Sequence, residues 1–257
     1  MCEHDATTAR IFDMPPYFFF YVMGAVFALS LFILLLLKYN YSIPRYTKIF
    51  ILSAIGLLIG ARMFGFLSGL YIALANNETI TIDTFLNTGI VFYGGMLGFL
   101  FSFLLICKIW DKEIDYRVMD IAAVCVPLFH FWGRLGCFFS GCCFGIETDS
   151  LFSVLYITRL EGAVLRFPVQ LIEASLNIVI FVVLMGLLFK QKLKEHLLMV
   201  YLFMYAIIRF VLEFFRGDLH RGVWNGVSLS QVVSVVILIS CTLIIVQKTR
   251  RKTYEVN

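Results

Sequence analysis

The chemistry-bearing residues of this chain concentrate in one stretch, His130-Phe131-Trp132-Gly133-Arg134-Leu135-Gly136-Cys137-Phe138-Phe139-Ser140-Gly141-Cys142-Cys143-Phe144-Gly145. It closes an apolar run, where a helix crossing lipid reaches an interface. A buried guanidinium at such a place costs several kcal/mol unless it faces protein, water or an anion. Arg62 and Arg209 also fall inside apolar runs, as do the carboxylates Glu173 and Glu213. Two readings of the arginines stand: ion pairs with Glu173 and Glu213 that serve packing, or a cluster around Arg134 lining a cavity for an anionic group. The planar fork of arginine matches phosphate, and a low local dielectric strengthens that contact. A cavity of this kind at a leaflet boundary fits a phospholipid headgroup.

Further candidates surround that stretch. Glu213, Arg216, Asp218 and His220 lie in Glu213-Phe214-Phe215-Arg216-Gly217-Asp218-Leu219-His220. Glu213 and Arg216 share a helix face if the helix runs that far, and His220 is a weak candidate for a general base. Ser228 and Gln231 have the spacing of a capping box at the start of the last apolar run. The pair Gly94-Gly95, after Tyr93, lets a backbone approach a ligand or bends a helix start. The spacing Cys137-x4-Cys142-Cys143 matches no common zinc pattern, so no metal and no cofactor is assigned. A disulfide from Cys137 to Cys142 or Cys143, or a thiolate beside Arg134, both remain open.

The elements that must position these residues follow from composition. The 257 residues are 61% hydrophobic and 15% charged, with a mean hydropathy of +0.90. Soluble domains carry about 25% charge. The fold class is an all-α polytopic membrane protein with seven transmembrane helices, at about 16–37, 49–75, 89–107, 118–138, 169–189, 197–215 and 228–247. Thirteen lysines and arginines follow the odd-numbered spans, from Lys38 to Lys252, and five lie on the other side. That asymmetry puts the N-terminus outside and the C-terminus in the cytoplasm. Met1–Pro16 carries Glu3, Asp5 and Asp13 against Arg10, unlike a cleaved signal, so the first span is expected to stay. The expected localisation is the cell inner or plasma membrane, with the active region external. The chain reads as a single domain over 1–257, with external segments near 76–93 and 145–167. The run Leu151–Tyr156 is a short strand or an interfacial segment. Scattered basic residues give no reason to expect nucleic acid, and the oligomeric state is left open, a monomer included.

At these residues the sequence resembles the prolipoprotein diacylglyceryl transferase family. The family's Arg-x-Gly-Asn-Phe-x-Asn-Gly-Glu signature is met by Arg134-Leu135-Gly136-Cys137-Phe138-Phe139-Ser140-Gly141-Cys142. Its His-Pro-x-Gln-Leu-Tyr-Glu motif is met by Phe167-Pro168-Val169-Gln170-Leu171-Ile172-Glu173, and its Arg-Phe-x-x-Glu-Phe-x-Arg-x-x-Asp stretch by Arg209 through Asp218. Gly60-Ala61-Arg62 and Ser228 to Gln231 have counterparts as well. The family's His-Gly-Gly becomes Tyr93-Gly94-Gly95, and its signature asparagines and glutamate become Cys137, Ser140 and Cys142: a cysteine-bearing branch.

The resemblance implies transfer of a diacylglyceryl group from phosphatidylglycerol to a lipobox cysteine thiol of a secreted protein, with glycerol phosphate leaving. It implies Arg134, Tyr93, Arg209, Glu213 and Arg216 as catalytic candidates. Arg62, Gly94, Gly95, His130, Cys137, Ser140, Cys142, Cys143, Gln170, Glu173, Asp218, His220, Ser228 and Gln231 are candidates for substrate binding. The partners are a membrane phospholipid and an acceptor, either a secreted protein or a small molecule. Tyrosine is a poor base near neutrality, so a phospholipid-binding or transport protein on the same fold is the alternative, with a membrane thiol–disulfide enzyme behind it.

Overall fold

A computed structural model describes residues 14–75, 91–111, 115–158, 162–217, 223–224 and 226–256. Helices α1 (Pro16–Lys38), α2 (Ile43–Ala75), α3 (Phe92–Asp111) and α4 (Tyr116–Phe139) precede a hairpin of β1 (Val154–Thr158) and β2 (Gly162–Arg166). Then come α5 (Val169–Phe189), α6 (Leu197–Leu212), a 3-10 turn at Glu213–Phe215, and the short pair β3 (Val223–Trp224) and β4 (Val227–Ser228). Helix α7 (Leu229–Val256) ends the chain. Among the described residues, six helices are long and apolar enough to cross a membrane, and α7 adds a shorter apolar stretch, Leu229–Ile245. The chain is thus mostly helical and multi-pass. Large apolar side chains such as Leu58, Ile59, Phe101 and Val182 are exposed along the helices, as a lipid-facing surface requires.

Two seams organise the bundle. In the first, α2 and α3 cross through Gly56, Gly60, Gly94 and Gly98. A Cβ at Gly60 would strike the Gly94 carbonyl, and one at Gly98 the Gly56 carbonyl. Small residues let helix backbones meet where lipid supplies no hydrophobic drive. The Val91 N–H donates across the seam to the Ala61 carbonyl at 3.3 Å, just before Tyr93. The glycine pair, expected to let the backbone approach a ligand or to bend the helix start, packs against α2. Its missing side chains make room for a helix.

In the second seam α1 packs on α4, with Gly24 against Trp132 and Phe129. Phe27 stacks on Trp132 with ring centroids 5.0 Å apart, and Phe20 on Phe139 at 5.0 Å. Helix α4 also packs on α5, and α6 contacts α4, α5 and α7.

The run expected as a strand or interfacial segment is a strand in its second half. Val154–Thr158 pairs with Gly162–Arg166 in antiparallel register, Val154 opposite Arg166. At the opposite end of the bundle, buried Asp120 on α4 holds the start of α6. Its carboxylate accepts the Glu195 N–H at 2.6 Å, the Leu197 N–H at 2.9 Å and Arg117 Nη1 at 3.3 Å. Three residues of the preceding turn, Gln191, Leu193 and Glu195, have positive φ.

Candidate active site

The C-terminus of α4 builds one wall. Gly141, at φ +66°, donates its N–H to the Phe138 carbonyl at 3.1 Å, and Cys142 donates to the Cys137 carbonyl at 3.1 Å. That double bond is a Schellman turn, which brings the residue two past the helix cap back over the last turn. The side chains that usually make an apolar contact there are Cys137 and Cys142. Cys143 follows in the left-handed region, at φ +59°, and its thiol turns to the same point. The three sulfurs lie within 4.8 Å of one another. Hydrogen bonds with Cys137 and Cys142, then the nearby Arg216 and Arg134, hold the Cys143 thiol well below the usual thiol range.

Beyond this turn the chain is pinned on both sides. Ile146 donates to the Phe215 carbonyl at 2.9 Å and Gly217 to the Phe144 carbonyl at 3.0 Å, while Phe167 donates to the Ile146 carbonyl at 2.9 Å. A Cβ at Gly145 would meet the Phe167 carbonyl, and one at Gly217 the Gly145 carbonyl. These two glycines allow the exit of α6, with Arg216, to lie against the cysteine turn. Gln170 locks the third side: its Nε2 donates to the Cys142 carbonyl at 2.7 Å, and Tyr156 donates to its Oε1 at 3.0 Å. Burial pushes the Tyr156 hydroxyl up to about 12, so it stays protonated as a donor. Arg166 donates to the Gly145 carbonyl and lies 4.3 Å from the Phe144 ring.

At the centre, Glu173 of α5 collects partners from two helices. Arg134 Nη2 donates to its Oε1 at 2.8 Å, and Tyr205 donates to the same oxygen at 3.0 Å. Arg209 Nη1 stands 4.0 Å from its Oε2. Arg134 Nε donates to His130 Nε2 at 3.2 Å, so that ring nitrogen carries no proton. His130 is clamped face to face with Phe92, centroids 3.6 Å apart. Arg209 also pairs with Glu213 at 2.7 Å and donates to Ser230 at 3.1 Å. The ion pairs expected from the sequence are real. They are also incomplete: Glu173 Oε2, Arg209 Nη1 and His130 Nδ1 are buried and make no hydrogen bond.

Arg134, Arg209 and Arg216 are 6–7% exposed, and Glu173 and Glu213 0–3%. Among the described residues this buried set carries three guanidiniums against two carboxylates. An uncompensated buried charge costs several kcal/mol.

The other candidates are distributed as follows. Tyr93 is buried in the first turn of α3, and its hydroxyl shares a 2.6 Å hydrogen bond with Ser234. Ser228 and Gln231 close the expected capping box, Ser228 N–H to Gln231 Oε1 at 3.0 Å and Gln231 N–H to Ser228 Oγ at 3.2 Å. Ser140 is half-buried beside the cysteine turn. Arg62 is exposed on α2, outside the buried set. Glu213 and Arg216 do not share a helix face, because α6 tightens into the 3-10 turn and Arg216 is already extended. Asp218 and His220 lie outside the described residues.

Sequence reading missed Tyr205, Asn177, Ser230 and Ser234. Tyr205 sits one turn before Arg209, Asn177 one turn after Glu173, and Ser230 and Ser234 one turn from each other. Polar residues four apart inside an apolar run were the available signal.

The profile of the prolipoprotein diacylglyceryl transferase family matches residues 7–247. A phosphatidylglycerol–prolipoprotein diacylglyceryl transferase of Campylobacter hominis is 33% identical over 202 residues, covering 74% of this chain and 70% of the relative. One from Campylobacter jejuni subsp. jejuni is 31% identical over 244 residues, covering 87% and 85%. A third, from Helicobacter hepaticus, is 37% identical over 157 residues, 59% of this chain and 53% of that protein. With the signature arginine, the glutamine clamp and the Arg209–Glu213 pair all meeting around one buried cluster, the chain belongs to the prolipoprotein diacylglyceryl transferase family.

Proposed function

We propose that this chain transfers the diacylglyceryl group of phosphatidylglycerol to the lipobox cysteine of a prolipoprotein. The observation that carries the reading is the buried cluster of three guanidiniums and two carboxylates. Phosphatidylglycerol brings a phosphodiester, an anion whose oxygens match the guanidinium fork. Arg209 Nη1, which makes no hydrogen bond of its own, is an available donor for a phosphate oxygen. Beside it, an apolar groove of about 330 Å³ is lined by Phe210, Phe214, Val227, Gln231, Val232 and Val235. Its apolar walls, starting with Phe210 next in sequence to Arg209, would take an acyl chain.

In the reaction the acceptor sulfur attacks the glycerol carbon bonded to the phosphate ester oxygen. The carbon–oxygen bond breaks, the electron pair stays on glycerol phosphate, and a thioether forms. Arg134, Arg209 and Arg216 stabilise the charge gathering on the leaving phosphate. Glu173 orients Arg134 and Arg209, and Glu213 orients Arg209. The acceptor thiol must lose its proton, and Tyr93, hydrogen-bonded to Ser234, orients rather than accepts it.

We further place the chain in the cell membrane as one domain of seven spans, including α7, with the N-terminus and the cluster external. Support comes from the loop-charge asymmetry. Reporter fusions after α4 and α5 test it, and an α4–α5 loop reporting cytoplasmic would overturn it.

The decisive experiment incubates protein in liposomes with labelled phosphatidylglycerol and a lipobox peptide. Diacylglyceryl-peptide that disappears with Arg134→Ala is expected. Tight phospholipid binding with no headgroup release would replace the transferase by a binding protein.

A further inference from the structure

We propose that Cys137, Cys142 and Cys143 form a three-thiolate site for a thiophilic divalent cation, zinc(II) in the first instance. The Schellman turn at Gly141 sets Cys142 over Cys137, and the left-handed step at Cys143 swings its sulfur to the same side, so that all three lie within 4.8 Å of one another. A tetrahedral zinc with sulfurs about 2.3 Å away holds them about 3.8 Å apart. A closure of about one ångström, within the reach of side-chain rotation, completes the site.

Three features favour a cation over a disulfide. A disulfide uses two thiols and leaves the third buried beside it. A bond between the neighbours Cys142 and Cys143 demands a distorted peptide. The backbone also holds Cys143, a residue with a Cβ, in the left-handed region at φ +59°, which costs about 1–2 kcal/mol. The turn is itself held by the Gln170–Cys142 clamp and by the pinned strand beyond Phe144, so the geometry is built before any ligand arrives. Arg134 and Arg216 lie within electrostatic reach of Cys143 and offset the extra negative charge of three thiolates around a dication.

Three protein sulfurs leave a fourth tetrahedral position, as in zinc sites that act on substrates. If the transferase reading holds, the acceptor thiol coordinates there as a thiolate and gives its proton to water. This supplies the deprotonation that Tyr93 cannot. The metal site itself does not depend on that reading.

The full chain, purified in detergent, reduced and stripped of metal, is titrated with cadmium(II) while cadmium–thiolate absorption is followed. One equivalent per chain, displaced by zinc(II), is expected. Cys137→Ser, Cys142→Ser and Cys143→Ser each weaken binding by more than the roughly 10–100-fold that loss of an outer-shell partner costs, whereas Cys241→Ser leaves it unchanged. Wild-type protein provides the control for misfolding: bound zinc shields these three of the seven cysteines from alkylation, read by mass spectrometry. Equal alkylation with and without zinc overturns the proposal. So does a native disulfide among the three in a protein that binds no cadmium once reduced.

A lipobox peptide is expected to intensify the cadmium–thiolate band, and its Cys→Ser analogue is not. A band untouched by the peptide overturns the acceptor's coordination alone. Headgroup release measured in parallel reports separately on the transferase reading.

Discussion

Two buried carboxylates on neighbouring helices, Asp120 and Glu173, live in opposite conditions. Asp120 accepts two backbone N–H groups and one guanidinium and fixes the turn into α6. Both of its oxygens are engaged. Glu173 is equally buried, yet only its Oε1 is hydrogen-bonded, while Oε2 and the facing Arg209 Nη1 are not. A saturated buried acceptor is part of the scaffold. One left short, beside a guanidinium nitrogen that is also unbonded, is where the proposed substrate would find partners. Burial alone does not separate the two, and the ledger of hydrogen bonds does.

The sharpest break in this comparison is Arg134→Ala. It removes the strongest partner of Glu173 and a phosphate donor together, and transfer from labelled phosphatidylglycerol should fall by about 10²–10³-fold or more. Asp120→Ala should do the reverse. It strands two backbone N–H groups and the Arg117 charge, destabilising the fold by about 3–5 kcal/mol. Thermal unfolding in detergent reads that loss, and transfer per folded molecule should hold. If Asp120→Ala abolished transfer in folded protein, the division between scaffold and site would fail.

Tyr93→Phe has a smaller effect and sharpens the comparison. It deletes one buried hydrogen bond to Ser234, costing about 1 kcal/mol, and transfer should survive. A collapse of transfer without a change in unfolding temperature would make Tyr93 the proton acceptor after all. Ser228→Ala is the mildest: loss of the cap costs about 1 kcal/mol, seen as fraying of the α7 start in hydrogen exchange, with transfer retained.

Much of this was legible in the residues. Apolar run lengths gave the helices to within a few positions, although α2 begins six residues earlier than expected and α7 continues through its basic tail to Val256. The capping box needed only local spacing and was correct. What stayed hidden was anything set by pairing across the chain. Gly94 looked like a ligand contact because its partner, Gly60, lies on another helix. Gln170 was a candidate for substrate binding, and its clamp on a carbonyl 28 positions back was not legible. The cysteine spacing matched no metal pattern because those patterns assume a knuckle or a helix face. Here a helix stop codon of structure, glycine at φ +66°, does the folding back.

The packing of α1 on α4 has a consequence for biogenesis. Ribosomes deliver α1 first, but its aromatic partners Phe129, Trp132 and Phe139 are synthesised only after α2 and α3. Helices α2 and α3 are consecutive and can close their glycine seam as soon as both are in the bilayer. α1 can meet α2 early through Phe32 and Phe50, but its Gly24 face must wait for α4 against acyl chains. A nascent chain arrested before Tyr116 should therefore expose Gly24 to a lipid-phase probe from which the finished protein shields it.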